Sequence, residues 1–286
     1  MVYLLITADT GSGTKSQYQV AGAMVSMVAM VAKLGYQVEA CLLLGDNIYE
    51  EGVLSVDDPQ FKTKFEDPYK NLDKPFYLLL GNHDYGNGHF EDYDKRHLFQ
   101  VEYSQKSDKW NMPAPYYQKS FGPCDFFFLD TNFGCMDKES IAKQLEDIKE
   151  MIRSSKQKYK ILCGHHTWRS IGGHGNAGKR FEAFMQDLLH DVTVDMYMCG
   201  HDHCKNHSVV TLPNQKKVHN VVIGTGGKVY DESMVFMENL DIGDFDLEFH
   251  SPNLGYIVFD ATKKGITLEF YNEDNVLEYD FLIKDT

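Results

Sequence analysis

Six short apolar runs in this chain each end in a polar or glycine-containing turn, and that repeated pattern restricts the folds open to it. Val2–Ala8 leads to Asp9, Ala40–Leu44 to Gly45-Asp46, and Phe76–Leu80 to Gly81-Asn82. Phe126–Leu129 leads to Asp130, Ile161–Cys163 to Gly164-His165, and Met196–Cys199 to Gly200-His201. Runs of this length, bounded this way, read as buried strands. Helical spacing lies between some of them. Val20, Met24, Met27, Val28, Val31 and Leu34 recur at three- and four-residue intervals, with Gly35 placed as a C-cap. Ile141, Leu145, Ile148 and Ile152 repeat the pattern, as do Phe181, Phe184, Met185 and Leu188. Beyond residue 205 the stretches "VHNVVIGTGG", "YIVFDAT" and "ITLEFYNEDNVLEYDFLI" alternate as mostly antiparallel strands do. The expected architecture is one α/β domain over residues 1–286, a mixed sheet system covered by helices. Ligands of such folds bind beyond the carboxyl ends of strands, where the polar turns fall.

Charge and apolar content narrow the function. The formal charge of −14 argues against non-specific binding to nucleic acid or anionic membrane, which needs excess Lys and Arg. It leaves room for a phosphorylated substrate, because bound cations reverse the sign locally. The longest apolar run, Val20 to Ala32 with Ser26 inside it, is shorter than the roughly 20 residues of a membrane span. No basic leader precedes the first apolar segment, which gives an expectation of a cytoplasmic protein. The six cysteines form no CxxC pair, and a disulfide framework is not expected at this density.

The segment "LLITADTGSGTKS", residues 4–16, admits three readings. An aspartic protease needs two carboxylates sharing one proton. There is no second Asp-Thr-Gly, since "LDTN" at 129–132 lacks the glycine. A P-loop fails on the spacing between Gly11 and Lys15, and the dinucleotide pattern fails at Ser16. Gly11 and Gly13 are then expected to be a flexible turn before the first helix. The third reading makes Asp9 a metal ligand. It gains from "GDNIY" with Asp46 and Tyr49, "GNHD" with Asn82, His83 and Asp84, "CGHH" with His165 and His166, and "CGHDH" with His201 and His203. One such turn is commonplace; several at strand ends in one chain are not. Asp, Asn, His and Tyr donors without thiolate suit hard or borderline ions such as iron, zinc or manganese.

In order and spacing these motifs resemble the calcineurin-like metallophosphoesterases. Asp9-Thr10-Gly11 in place of Asp-x-His, with Tyr49 closing the second motif, is similar to the purple acid phosphatases within that superfamily. "FEDPYKNLDKPFYLLLGNHDYGN" and "WNMPAPYY" resemble the small, tartrate-resistant, mammalian-like type. The fold implied is a four-layer α/β/β/α sandwich, two mixed sheets with helices on the outer faces. The activity implied is acid phosphatase hydrolysis of phosphate monoesters through metal-activated hydroxide at a binuclear Fe(III)–M(II) centre, M being Fe, Zn or Mn. By the same resemblance Asp46 bridges the metals. Asp9, Tyr49 and His203 complete the ferric site, while Asn82, His165 and His201 hold the divalent ion. Fe(III) and M(II) bring five positive charges against three from Asp9, Asp46 and a Tyr49 phenolate, so the site stays cationic. His83 and His174 take the substrate-side roles, phosphate orientation and protonation of the leaving group. Substrates would be phosphate monoesters, small molecules or phosphoproteins, acted on by a monomer with no nucleic-acid partner and no membrane span.

Three positions depart from the family pattern. Thr10 stands where tryptophan is usual. Only "NFGCMDKES" follows Leu129-Asp130-Thr131, so the long loop that represses mammalian members until proteolysis is absent. Cys135 has no cysteine near Lys179 to pair with. His89, His97, His166, His190, His207, His219 and His250 are expected to be structural or on the surface. The family analogy points to secretion or a lysosome, against the missing leader. Two other functions stay open: a catalytically silent scaffold of this fold, and a di-zinc or di-manganese phosphodiesterase or nucleotide hydrolase. Filled ligand positions weigh against the first and Tyr49 against the second.

Overall fold

The apolar runs are strands, and several begin a few residues earlier than their apolar pattern. In the computed structural model, which describes residues 1–86, 95–230 and 244–284, they divide between two seven-stranded sheets. His89 lies outside the described residues. In the first sheet β1 (Val2–Thr7), β2 (Val38–Leu44), β3 (Phe76–Leu79) and β4 (Trp110–Asn111) run parallel in that order. The second sheet is built from β5 (Tyr117–Phe121), β6 (Cys124–Phe128), β7 (Tyr159–Cys163), β8 (Met196–Cys199), β9 (Lys205–Thr211), β10 (Lys217–Ile223) and β11 (Phe245–Ser251). Its order is β11-β9-β10-β8-β7-β6-β5, with β6, β7, β8 and β10 parallel. The chain then returns to the first sheet. There β12 (Gly255–Thr262) pairs antiparallel with β1, and β13 (Gly265–Asn272) and β14 (Leu277–Lys284) extend it.

Alternation of side chains sorts the apolar residues into three clusters. Leu4, Ile6 and Leu42 of the first sheet meet Phe126, Phe128 and Ile161 of the second. The opposite face of the first sheet, with Leu5, Cys41 and Leu43, packs on Val20, Met24 and Met27 of α1 (Lys15–Lys33). The far face of the second, with Phe127, Leu162 and Tyr197, packs on α3 (Lys138–Ser154) and α4 (Lys179–Asp191). The short α2 (Arg96–Tyr103), which no sequence pattern announced, lies between β3 and β4. The result is the α/β/β/α sandwich expected from sequence. Phe126 and Phe259 meet across the sheets at 5.3 Å, and full burial of such a side chain contributes roughly 1.5–3 kcal/mol.

Local signals fix the helix ends. Asp137 caps α3 by accepting from the Ser140 amide at 2.7 Å. α1 stops where Gly35 turns left-handed at φ 85°. All six cysteines are free thiols, and no helix among the described residues is long and apolar enough to cross a membrane.

Register brings the strand ends level. Thr7 pairs with Leu43 and Leu44 with Leu79 in the first sheet, while Phe128, Cys163 and Met198 lie in one row of the second. The polar turns of both sheets therefore emerge along one edge of the sandwich.

Buried His207 on β9 meets half-buried His219 on β10. His207 Nε2 lies 2.9 Å from His219 Nδ1, and Phe281 stacks on His207 at 3.7 Å. Burial, then the charge of His219, lowers the pKa of His207 to about 3, and burial with Lys217 lowers that of His219 to about 4. In the unfolded chain both protonate near 6.5, so stability is full above that pH and is lost as the pH falls towards the folded values. Thermal unfolding followed at pH 7 and pH 4.5 should show a lower Tm at the acid pH. In His219→Gln that difference should shrink by a few degrees, at roughly 2–4 °C per kcal/mol. An equal fall in both proteins would contradict this assignment.

Candidate metal centre

At the level edge, turns from both sheets place their polar side chains within reach of one another. Asp9 follows β1, Asp46 follows β2 and Asn82 follows β3; His165 follows β7, and His201 and His203 follow β8. Donor atoms of Asp9, Asp46 and His165 all lie within 4.8 Å of one another. The Tyr49 hydroxyl donates to Asp9 Oδ1 at 2.9 Å and lies 3.2 Å from His203 Nε2. His165 Nε2 is 3.1 Å from Asn82 Oδ1 and 3.3 Å from Asp46 Oδ1. The His201 amide donates to Asp9 Oδ2 at 2.9 Å, and its ring lies 5.1 Å from that of His165. All seven ligand positions expected from sequence are thus brought together.

The backbone is bent to achieve this. Asp9, Asp46 and His201 sit in the left-handed region at φ 57°, 52° and 70°, which costs a residue with a Cβ about 1–2 kcal/mol. Two glycines make the close approach possible. A Cβ on Gly81 would overlap Asp46 Oδ1, and one on Gly200 would overlap Asp9 Oδ2. The Gly-Asn and Gly-His turns are therefore spaces for carboxylates supplied by other strands. Gly11, expected to be a flexible turn, is instead held: its amide donates to the Asp46 carbonyl at 3.2 Å and its carbonyl accepts from the Tyr49 amide at 3.0 Å.

Surrounding groups set ring and carboxylate orientation. His165 Nδ1–H donates to the Leu44 carbonyl at 2.9 Å, which turns Nε2 into the cluster. Thr131 Oγ1 accepts from the amides of His165 and His166 at 3.2 and 3.0 Å. Asp84, in "GNHD", turns away from the cluster. It accepts from the amides of Gly81, Asn47 and Ile48 and from Gln100, and burial, then the charge of Asp46, raises its pKa to about 7.

The electrostatics fit a cation. Asp9 and Asp46 are essentially inaccessible, and among the described residues their ion-pair partners are histidines only. A buried carboxylate without a cationic partner is strongly disfavoured. Burial opposes ionisation of Asp46, but the charge and hydrogen bond of His165, then His83 and His201, hold its carboxyl well below the usual range. Burial, then the charges of Asp46 and Asp9, push the Tyr49 phenol well above its ordinary value. Burial also works against protonation of His165, yet Asp46 and Asp9 raise it to about 10. Carboxylate, phenol, amide and imidazole converge here without a thiolate, a donor set suited to iron and to borderline divalent ions.

The two histidines expected from the resemblance to face substrate, His83 and His174, flank the cluster. His83 Nδ1–H donates to the Glu50 carbonyl at 2.5 Å, its ring meets Tyr49 at 4.4 Å, and Nε2 is 3.8 Å from Asp46 Oδ2. The His174 ring stacks on His201 at 4.0 Å. Its loop is tied down, because the His174 amide donates to Asp202 Oδ1 at 2.7 Å and Tyr230 donates to the same oxygen. Sequence reasoning missed three participants. His166 is turned towards His201, with ring centroids 4.6 Å apart, although the His-His doublet was a visible signal. Lys228 stands 3.5 Å from the Tyr49 ring centroid and 2.9 Å from Glu50. Asp202, the middle residue of "HDH", anchors the His174 loop. Neither of the last two had a local signal.

Gly200→Ala should lose bound metal, measured by elemental analysis after gel filtration, whereas Gly22→Ala, whose Cβ would meet nothing within 4 Å, should retain it. Equal metal content in the two folded variants would refute the close-packing argument.

Known proteins resemble this chain at the level of family and fold. The family model described as calcineurin-like phosphoesterase matches residues 3–205. Purple acid phosphatase 3 of Arabidopsis thaliana is 30% identical over 95% of this chain and 74% of its own length. Tartrate-resistant acid phosphatase type 5 of Oryctolagus cuniculus is 29% identical over 80% of this chain and 74% of its own. Among solved structures, GAP50 of Plasmodium, described as the anchor in the inner membrane complex, shares the fold with a TM-score of 0.78 at 22% identity, covering 100% of this chain and 89% of that one.

Proposed function

The chain belongs to the calcineurin-like phosphoesterases, and from that footing we propose that it is an acid phosphatase of the purple type, hydrolysing phosphate monoesters at an Fe(III)–M(II) centre. The observation that carries this reading is Tyr49. A phenol facing Asp9 in a buried site is a useful donor only to an ion acidic enough to ionise it, and a ferric ion is one. Asp9, Tyr49 and His203 would hold one ion and Asn82, His165 and His201 the other, with the Asp46 carboxylate available to both. M is Fe, Zn or Mn. When bound, such a pair supplies Lewis-acid stabilisation of the phosphoryl group and a lowered pKa for water.

The chain's own residues supply the rest. His165 presents Nε2 because Nδ1 is committed to Leu44. His83 is fixed by Glu50 with Nε2 towards Asp46, placed to orient phosphate. His174, over His201 and exposed at the mouth of the site, is placed to give its proton to the leaving oxygen. An acidic working range is part of the same reading.

The test is hydrolysis of p-nitrophenyl phosphate and bis(p-nitrophenyl) phosphate by the iron-loaded protein between pH 4 and 8. The monoester should be preferred, with the higher rate on the acid side. Asp46→Asn should lose roughly a hundredfold or more of the turnover, and His174→Ala roughly a hundredfold. A diester preference would shift the reading to a phosphodiesterase. No turnover of either by metal-loaded protein would shift it to a scaffold.

A further inference from the structure

Beside the histidines lies a cavity of about 410 Å³ whose wall includes His174, His201, His166, Lys179 and Arg180. Among the described residues no carboxylate lines it, although the chain carries 42 acidic residues against 28 basic ones. Two other cavities differ in this respect. The one beside Arg169 includes Glu182 and Asp244, and the one beside Tyr85 includes Asp130 and Asp137. Lys179 and Arg180 are exposed, and neither has a carboxylate partner among the described residues. Arg180 donates from Nη1 to the Phe133 carbonyl at 3.0 Å, which holds the guanidinium against the cavity wall. The nearest acid along α4, Glu182, is taken up by Arg169 at 2.6 Å. Gly178, at the N-cap, offers no side chain to the first amides of the helix.

Position gives this cationic surface a meaning. His201 belongs both to the candidate metal centre and to the cavity wall, and His174 stacks on it. A phosphoryl group held at the centre would have its ester oxygen near His174 and its leaving group in the cavity. We propose that the cavity is a second anion subsite, and that the preferred substrates are small phosphate esters whose leaving group carries another phosphate. The inference rests on the phosphomonoesterase reading for its orientation. Lys179 and Arg180 are specificity residues: they touch the distal phosphate and leave the reacting bond to the metal centre and His174. The volume is of the size that takes a sugar phosphate or a similar small group.

The experiment compares a hexose 6-phosphate with the matching hexose 1,6-bisphosphate on metal-loaded protein. Wild type should favour the bisphosphate by about tenfold or more in kcat/KM, well beyond the roughly twofold statistical gain of a second scissile group. The Lys179→Ser/Arg180→Ser double variant, with folding checked by its Tm, should bring the ratio close to that statistical value. Lys179→Arg/Arg180→Lys should keep the preference. A wild-type ratio at the statistical value, or an unchanged ratio in the folded serine double variant, would overturn the proposal. If wild type hydrolyses neither ester, the phosphatase reading fails first. The subsite is then read by equilibrium binding of the same two compounds, where tighter bisphosphate binding in wild type than in the serine variant supports it and equal binding overturns it.

Discussion

Two carboxylates, Asp9 and Asp46, buried together with only histidines among the described residues to balance them, are the condition on which the rest of this site is built. Isolated buried charges cost far more than one hydrogen bond returns. The fold surrounds them with donors: the His201 amide and Tyr49 hydroxyl on Asp9, the His83 amide and His165 ring on Asp46. A cation at the cluster would relieve what these dipoles and imidazoles only partly offset. The donor chemistry of the centre and its charge balance therefore lead to the same conclusion.

The architecture is arranged around that condition. Asp9 and Asp46 belong to the first sheet, His165 and His201 to the second, so the cluster exists only while the two sheets stay packed. Contacts at the edge join them directly: the His165 ring to the Leu44 carbonyl, and the Gly226 amide to the Ala8 carbonyl at 2.9 Å. Left-handed backbone at Asp9, Asp46 and His201 is tolerated because the buried sheets beneath fix each strand end. His174 is exposed, yet its loop is tethered by Asp202, which also accepts from Tyr230. Asp202 lies between the candidate ligands His201 and His203 in sequence, so the candidate metal turn and the His174 loop share an anchor.

Much of this was legible before any coordinates. A strand ending in Gly-Asp, Gly-Asn or Gly-His announces itself locally, because apolar run and turn are adjacent in the chain, and the candidate ligands stand in or just after those turns. What could not be read is which runs share a sheet. β12 lies beside β1 although some 250 residues separate them, and nothing in "YIVFDAT" names its partner. The held conformation of Gly11, the turn of Asp84 away from the cluster, and the approach of Lys228 and His166 depend on such distant pairings. The cationic cavity was hidden for the same reason: Lys179 and Arg180 look like an ordinary helix start until the β7–α4 loop brings them beside His201.

The central claim, that Tyr49 and Asp9 belong to a ferric site, is tested most directly by the visible absorption spectrum of iron-reconstituted protein beside that of Tyr49→Phe. The account predicts a phenolate-to-iron charge-transfer band in the wild type that disappears in the variant while iron content is retained. A wild-type protein that holds iron without such a band, or a band that survives in Tyr49→Phe, would contradict it.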